Sequence, residues 1–220
     1  MNALRKLFFA FLVTAAVSLG FLSDATAQAV ASPDYVHAPD MRRLLHWTHF
    51  PILVYFTPGA LTTKERKDST LAGFDEWVHA TRNFAKYQVV TTEAQANVTV
   101  TFLPESTVPG KDGATGNTRI TFLESAVIKH VRMVLATANI SPLDLQATAC
   151  HEFGHALGID GHSDDPDDIM YPILTCMLGE IDFPAPVHAI TQRDLHTLKA
   201  CYPALGLSSS PPVSSAESSQ

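Results

Sequence analysis

His151-Glu152-Phe153-Gly154-His155-Ala156-Leu157-Gly158-Ile159-Asp160-Gly161-His162, followed by Asp168-Ile169-Met170-Tyr171-Pro172, is the most informative stretch of this 220-residue chain. Two histidines four apart on one helix lie on the same face, one turn apart, close enough to share a metal ion. Glu152 sits about 100° round the helix from His151, where it can reach a metal-bound water without being a ligand. Gly158 can adopt φ > 0, end the helix and turn the chain back, which brings a third imidazole to the metal. Three protein nitrogens leave one position open, as hydrolytic zinc requires and structural zinc lacks.

Such a site carries a defined chemistry. Zinc lowers the pKa of a bound water to about 7 and polarises a scissile carbonyl as a Lewis acid. Glu152 would take the water proton as general base and later hand it to the departing amine. Histidines bind metal only when neutral, so activity should fall on the acid side. A buried helix with incidental histidines would explain a bare H-E-x-x-H. It does not explain the glycine, third histidine and methionine that follow in order.

The segment from His151 to Pro172 resembles the metzincin clan of zinc endopeptidases, and H-E-F-G-H-A-L-G with D-I-M-Y-P looks most like its matrixin branch. The resemblance implies an α+β fold: a twisted mixed sheet of about five strands, an active-site helix and a C-terminal helix. It implies His151, His155 and His162 as zinc ligands, Glu152 as the base, and Met170 as an apolar floor on a tight turn. It also implies a protein or peptide substrate that adds to the sheet edge as an extended strand.

Two departures from the family pattern matter. The third histidine is expected three residues after the glycine, where this chain has Gly161, and His162 comes one later. Because the chain leaves the helix at Gly158, an added glycine is the least costly insertion. Asp160, Asp164 and Asp165 are the rival third ligands, since a carboxylate can replace an imidazole at zinc. The 104–117 loop lacks the histidines that matrixins use for a second, structural zinc, so one zinc per chain is expected. A calcium loop at Asp112 and Gly113 is less expected than a plain surface turn. No cysteine precedes the domain, so thiol-gated latency is not expected either.

The net charge of −7, without a Lys/Arg cluster in the mature part, gives no reason to propose nucleic acid or an anionic membrane as partner. Residues 1–27 read as a signal peptide: Arg5 and Lys6 before an apolar run from Leu7 to Leu22, then Ala25-Thr26-Ala27 as a cleavage site. An uncleaved anchor is the competing reading. The mature protein is therefore expected to be secreted, extracellular or periplasmic. In this reading 28–45 is an extended N-terminal lead, 46–203 the catalytic domain, and 204–220 a Ser/Pro-rich disordered tail. Of three cysteines, Cys176 and Cys201 are the expected disulfide, and Cys150 a small buried residue.

Along the domain, 50–56 reads as a strand, 63–84 as an amphipathic helix, and 87–91 and 97–103 as strands. A loop at 104–117 precedes strands at 118–123 and 131–136. Ser141, Pro142 and Asp144 open a helix that runs through Leu157, and Thr191 caps a last helix to Tyr202. The alternative function is a secreted zinc-binding interaction protein without hydrolysis. Loss of the base would mark it, and Glu152 is present. A zinc hydrolase of non-protein amides is the third reading.

Overall fold

Alternation in Ile52–Phe56 sets the inner face of a sheet, with Ile52, Val54 and Phe56 buried and Leu53 and Tyr55 half-buried opposite. The computed structural model describes residues 34–104, 114–172 and 189–203. They form β1 (Arg43–Leu44), β2 (Ile52–Phe56), α1 (Lys64–Ala80), β3 (Tyr87–Val89), β4 (Val98–Leu103) and β5 (Gly116–Phe122). Then come β6 (Ile128–Ala136), α2 (Pro142–Leu157), β7 (Ile159–Asp160) and α3 (Gln192–Cys201). Five strands make a mixed sheet in the order β3-β2-β4-β6-β5. β5 alone runs antiparallel, and it lies at an edge. This is the α+β architecture expected from the sequence, five-stranded sheet included.

Helix α1 is nearly five turns of amphipathic sequence, 17 residues long, whose apolar residues face α2. Phe74 and Trp77 are fully buried, and the Phe74 ring stacks on Phe153 with centroids 4.1 Å apart. Gly73 lets the two helices approach closely, because a Cβ there would stand 2.7 Å from the Cys150 backbone nitrogen. Trp77 Nε1 donates to the Cys150 carbonyl at 2.8 Å, tying α1 to the turn that carries His151. The helix ends at Ala80, earlier than the expected Phe84. Arg82 and Asn83 adopt φ of 52° and 67°, and a right-handed helix cannot continue through such residues.

Helix α2 starts as its sequence predicts, with Ser141 and Asp144 in a capping box and Pro142 in the first turn. Its C-terminal carbonyls need partners from elsewhere in the chain. Trp47 Nε1 donates to Ala156 O at 2.8 Å and Tyr202 Oη to Leu157 O at 2.6 Å. Leu45 N donates to Gly158 O at 2.8 Å. Gly158 has φ of 122°, and the Leu45 carbonyl occupies the space a Cβ would need.

Strand β5 begins at Gly116 rather than Thr118, and β6 at Ile128 rather than Val131. The turn between them is shorter than the expected gap, so more residues pair. Among its described residues, 34–45, the lead forms strand at β1, which pairs antiparallel with β7. Tyr35 is buried against α3, donating from its hydroxyl to Asp194 at 2.8 Å. Cys150 and Cys201 are buried free thiols. Cys176, the partner expected for Cys201, lies outside the described residues, as do the 1–27 segment, the tail and Asp112 and Gly113.

Candidate metal centre

Four residues of helical rise put His151 and His155 one above the other, and their Nε2 atoms stand 3.2 Å apart. Gly158 then reverses the chain, and His162 closes the group. Its ring centroid is 5.4 Å from that of His151 and 5.0 Å from that of His155. One ligand atom from each of the three lies within 4.8 Å of the others. Among the described residues this is the group of three metal-capable side chains that the fold assembles. Two of the three rival carboxylates are engaged elsewhere. Asp164 and Asp165 pair with Arg193 at 2.7 and 3.2 Å.

Hydrogen bonds fix how the rings present themselves. His151 Nδ1 donates to the Ile169 carbonyl and His155 Nδ1 to the Ile159 carbonyl, each at 2.7 Å. A carbonyl only accepts, so each Nδ1 carries its ring's proton and each Nε2 presents a lone pair. Two lone pairs at 3.2 Å repel unless a cation lies between them. Tetrahedral zinc with nitrogens at 2.0–2.1 Å would hold neighbouring nitrogens about 3.3 Å apart. The donor set therefore fits zinc. Burial, the charge of His162 and Arg42 together push the His155 pKa down to about 4 against the opposing Ile159 carbonyl, which keeps the ring neutral for coordination.

Glu152, the next residue round the helix from His151, faces β5. Its carboxyl rests on Gly116 at the start of β5, and a Cβ on that glycine would be 2.5 Å from Oε1 and 2.7 Å from Cγ. Burial pushes its pKa up to about 7, partly offset by the Thr118 hydroxyl. Oε2 is buried with no hydrogen-bond partner among the described residues. A buried carboxylate oxygen without a partner is costly, and it is the oxygen available to accept a proton. Gly116 was not legible as a site residue, because nothing in the local pattern of β5 shows that a side chain 36 positions on will lie against it. Gly116→Ala should cut turnover by about 10–100-fold with zinc content unchanged, since displacing a reacting group by an ångström has that cost. Steady-state kinetics beside metal analysis would check it.

The raised Glu152 pKa also has a thermodynamic consequence in metal-free protein. A carboxyl whose pKa is higher folded than unfolded favours folding at pH values below about 4.5, and that contribution is lost as pH rises through about 7. Glu152→Gln should therefore stabilise the metal-free chain at pH 8 by up to about 3 kcal/mol. The gain should shrink toward pH 5, and zinc should reduce it by favouring the carboxylate. Thermal melts of both forms across that range would show the effect.

Met170 is fully buried beneath α2. Its Sδ occupies the space that a Cβ on Gly154 would take, with the Trp77 ring 2.9 Å from the same point. The glycine inside the histidine motif is thus a packing requirement. Asp194, at the third position of α3, holds the methionine turn by accepting from Ile169 N at 3.2 Å. Asp168 is also buried, accepting from Ser163 and Thr191 and pairing with Arg193 at 3.1 Å. Asp168 thus joins the loop after His162 to α3. The packed carboxylates Asp168 and Asp194 and the tyrosines Tyr35 and Tyr202 act across long stretches of chain, which no local spacing reveals.

Among curated proteins none matches the chain. The matrixin family model, which describes peptidases, matches residues 50–202, well over half of the sequence. That span contains all three histidines, the glutamate between them and Met170. With the ligand atoms gathered as the motif requires, this chain belongs to the matrixins, a family of zinc metallopeptidases.

Proposed function

We propose that the protein is a secreted zinc endopeptidase with His151, His155 and His162 as ligands and Glu152 as general base. The observation that carries the reading is the triad of imidazoles, two of them donating from Nδ1 to carbonyls with their Nε2 atoms 3.2 Å apart, on the helix turn that also carries a buried carboxylate with one oxygen unpartnered among the described residues. Zinc, when bound, supplies Lewis acidity and a water acidic enough to react at neutral pH. Glu152 Oε2 takes the water proton and returns it to the amine nitrogen as the peptide bond breaks. A carboxyl poised near neutrality suits both halves of that transfer.

Substrate binding falls to β5. One side of this strand pairs with β6, and among the described residues the sheet ends on its other side. An extended peptide adding there would run alongside the glutamate that rests on Gly116, with backbone hydrogen bonds giving affinity. The residues at 1–27 support export: a basic start, an apolar run and a small-residue cleavage site. No helix among the described residues is long and apolar enough to cross a membrane. Incubating the purified protein with a peptide library, with and without a chelator, tests the reading. Cleavage that chelator removes and zinc restores is expected. A zinc-loaded protein that cuts no peptide would contradict it.

A further inference from the structure

We infer that residues 34–45 form a clamp on the metal-binding loop, and that Gly161 is the seat on which the clamp closes. The inference rests on the zinc reading proposed above. The segment precedes the residues matched by the family, which begin at 50. It nevertheless reaches the surroundings of all three histidines.

The first contact is a backbone pairing. Arg42 N donates to Asp160 O at 2.9 Å and Leu45 N to Gly158 O at 2.8 Å, with Leu44 opposite Ile159. Between those bonds lies the Ile159 carbonyl that accepts from His155 Nδ1. The second contact is at the corner just before His162. A Cβ on Gly161 would stand 2.5 Å from the Asp40 carbonyl oxygen and 2.5 Å from Met41 Cα. Both are backbone atoms, so no side-chain rotation would relieve the clash. The third runs through α3. Tyr35 Oη donates to Asp194 at 2.8 Å, Asp194 accepts from Ile169 N, and the Ile169 carbonyl accepts from His151 Nδ1.

These contacts give the displaced third histidine a physical reason. The added loop residue is a glycine seated against Asp40 and Met41, and its neighbour is the ligand. A loop held by the clamp presents His162 to the metal, and a metal-bound loop presents the paired strand to the clamp. Coupling of this kind is reciprocal: whatever the clamp adds to metal affinity, the metal adds to clamp closure.

The test uses the intact chain and zinc alone as the probe. Hydrogen exchange at the Arg42 and Leu45 amides is measured with zinc and after chelation, on protein whose zinc stoichiometry is known. Protection that falls by about tenfold or more on chelation is expected. Protection unchanged within about twofold, in a chain that binds zinc, overturns the clamp and leaves the metal site standing. A chain that binds no zinc overturns both. Zinc transfer to a chromophoric chelator adds a second readout. Arg42→Pro removes one strand hydrogen bond and should speed transfer by roughly fivefold to tenfold, as should Gly161→Ala. Arg42→Ala keeps the amide but loses the same charge as Arg42→Pro, so it is the reference for that charge, and Arg42→Pro should transfer zinc faster than Arg42→Ala by that factor. Equal rates in all three variants would also overturn the clamp. Should a variant fail to fold, the exchange measurement on the parent protein still decides.

Discussion

Replacing Glu152 by alanine should lower peptide cleavage by about 10²–10⁴-fold while zinc remains bound. The reasoning starts from burial. Glu152 is buried between α2 and β5, with its pKa lifted to about 7 and one oxygen left without a partner among the described residues. A structural carboxylate in that position would be hydrogen-bonded or paired, because an unmet buried charge destabilises the fold. Here the cost is offset only when the oxygen takes up a proton or a cation lies close by. The substitution removes the proton carrier and leaves the imidazoles and their carbonyl partners in place. Initial rates on a peptide substrate, beside metal analysis of the same preparation, give both quantities. A variant that cuts at the parent rate would sink the role assigned to Glu152.

His162→Ala should weaken zinc binding by more than about 100-fold, beyond the loss usual for removing a residue that only orients a ligand. His151 and His155 alone leave zinc with two protein donors, too few for a hydrolytic site. Three of the nearby aspartates are poorly placed to compensate. Asp164 and Asp165 hold Arg193, and Asp168 is buried between Ser163, Thr191 and the same guanidinium. Competition titration with a metal indicator measures the change. Unchanged affinity would move the third ligand to a carboxylate and make the displaced histidine incidental.

The gathering of the three histidines was legible because its logic is local. Histidines at a spacing of four must share a helix face, Gly158 must turn the chain, and a capping box at Ser141 must start the helix. The apolar run at 50–56 and the alternation at 97–103 likewise marked strands, found at Ile52–Phe56 and Val98–Leu103. What stayed hidden depends on partners far along the chain. Trp47 and Tyr202 satisfy carbonyls at the end of α2, and Tyr35 meets Asp194, across 109, 45 and 159 positions. The lead before residue 46 is polar and proline-containing, so its pattern suggested only an extended segment. Its role arises from backbone bonds to β7, which leave no side-chain signature. Gly161 shows the same limit: as sequence it is an inserted residue, and only the packing of Asp40 and Met41 gives it a reason.

Zinc K-edge absorption of the zinc-loaded protein bears most directly on the central claim. Three imidazole nitrogens at about 2.0–2.1 Å and one further light atom from solvent are predicted, with one imidazole lost in His162→Ala. A fourth protein ligand closing the coordination sphere, or a spectrum unaltered by that substitution, would contradict the account.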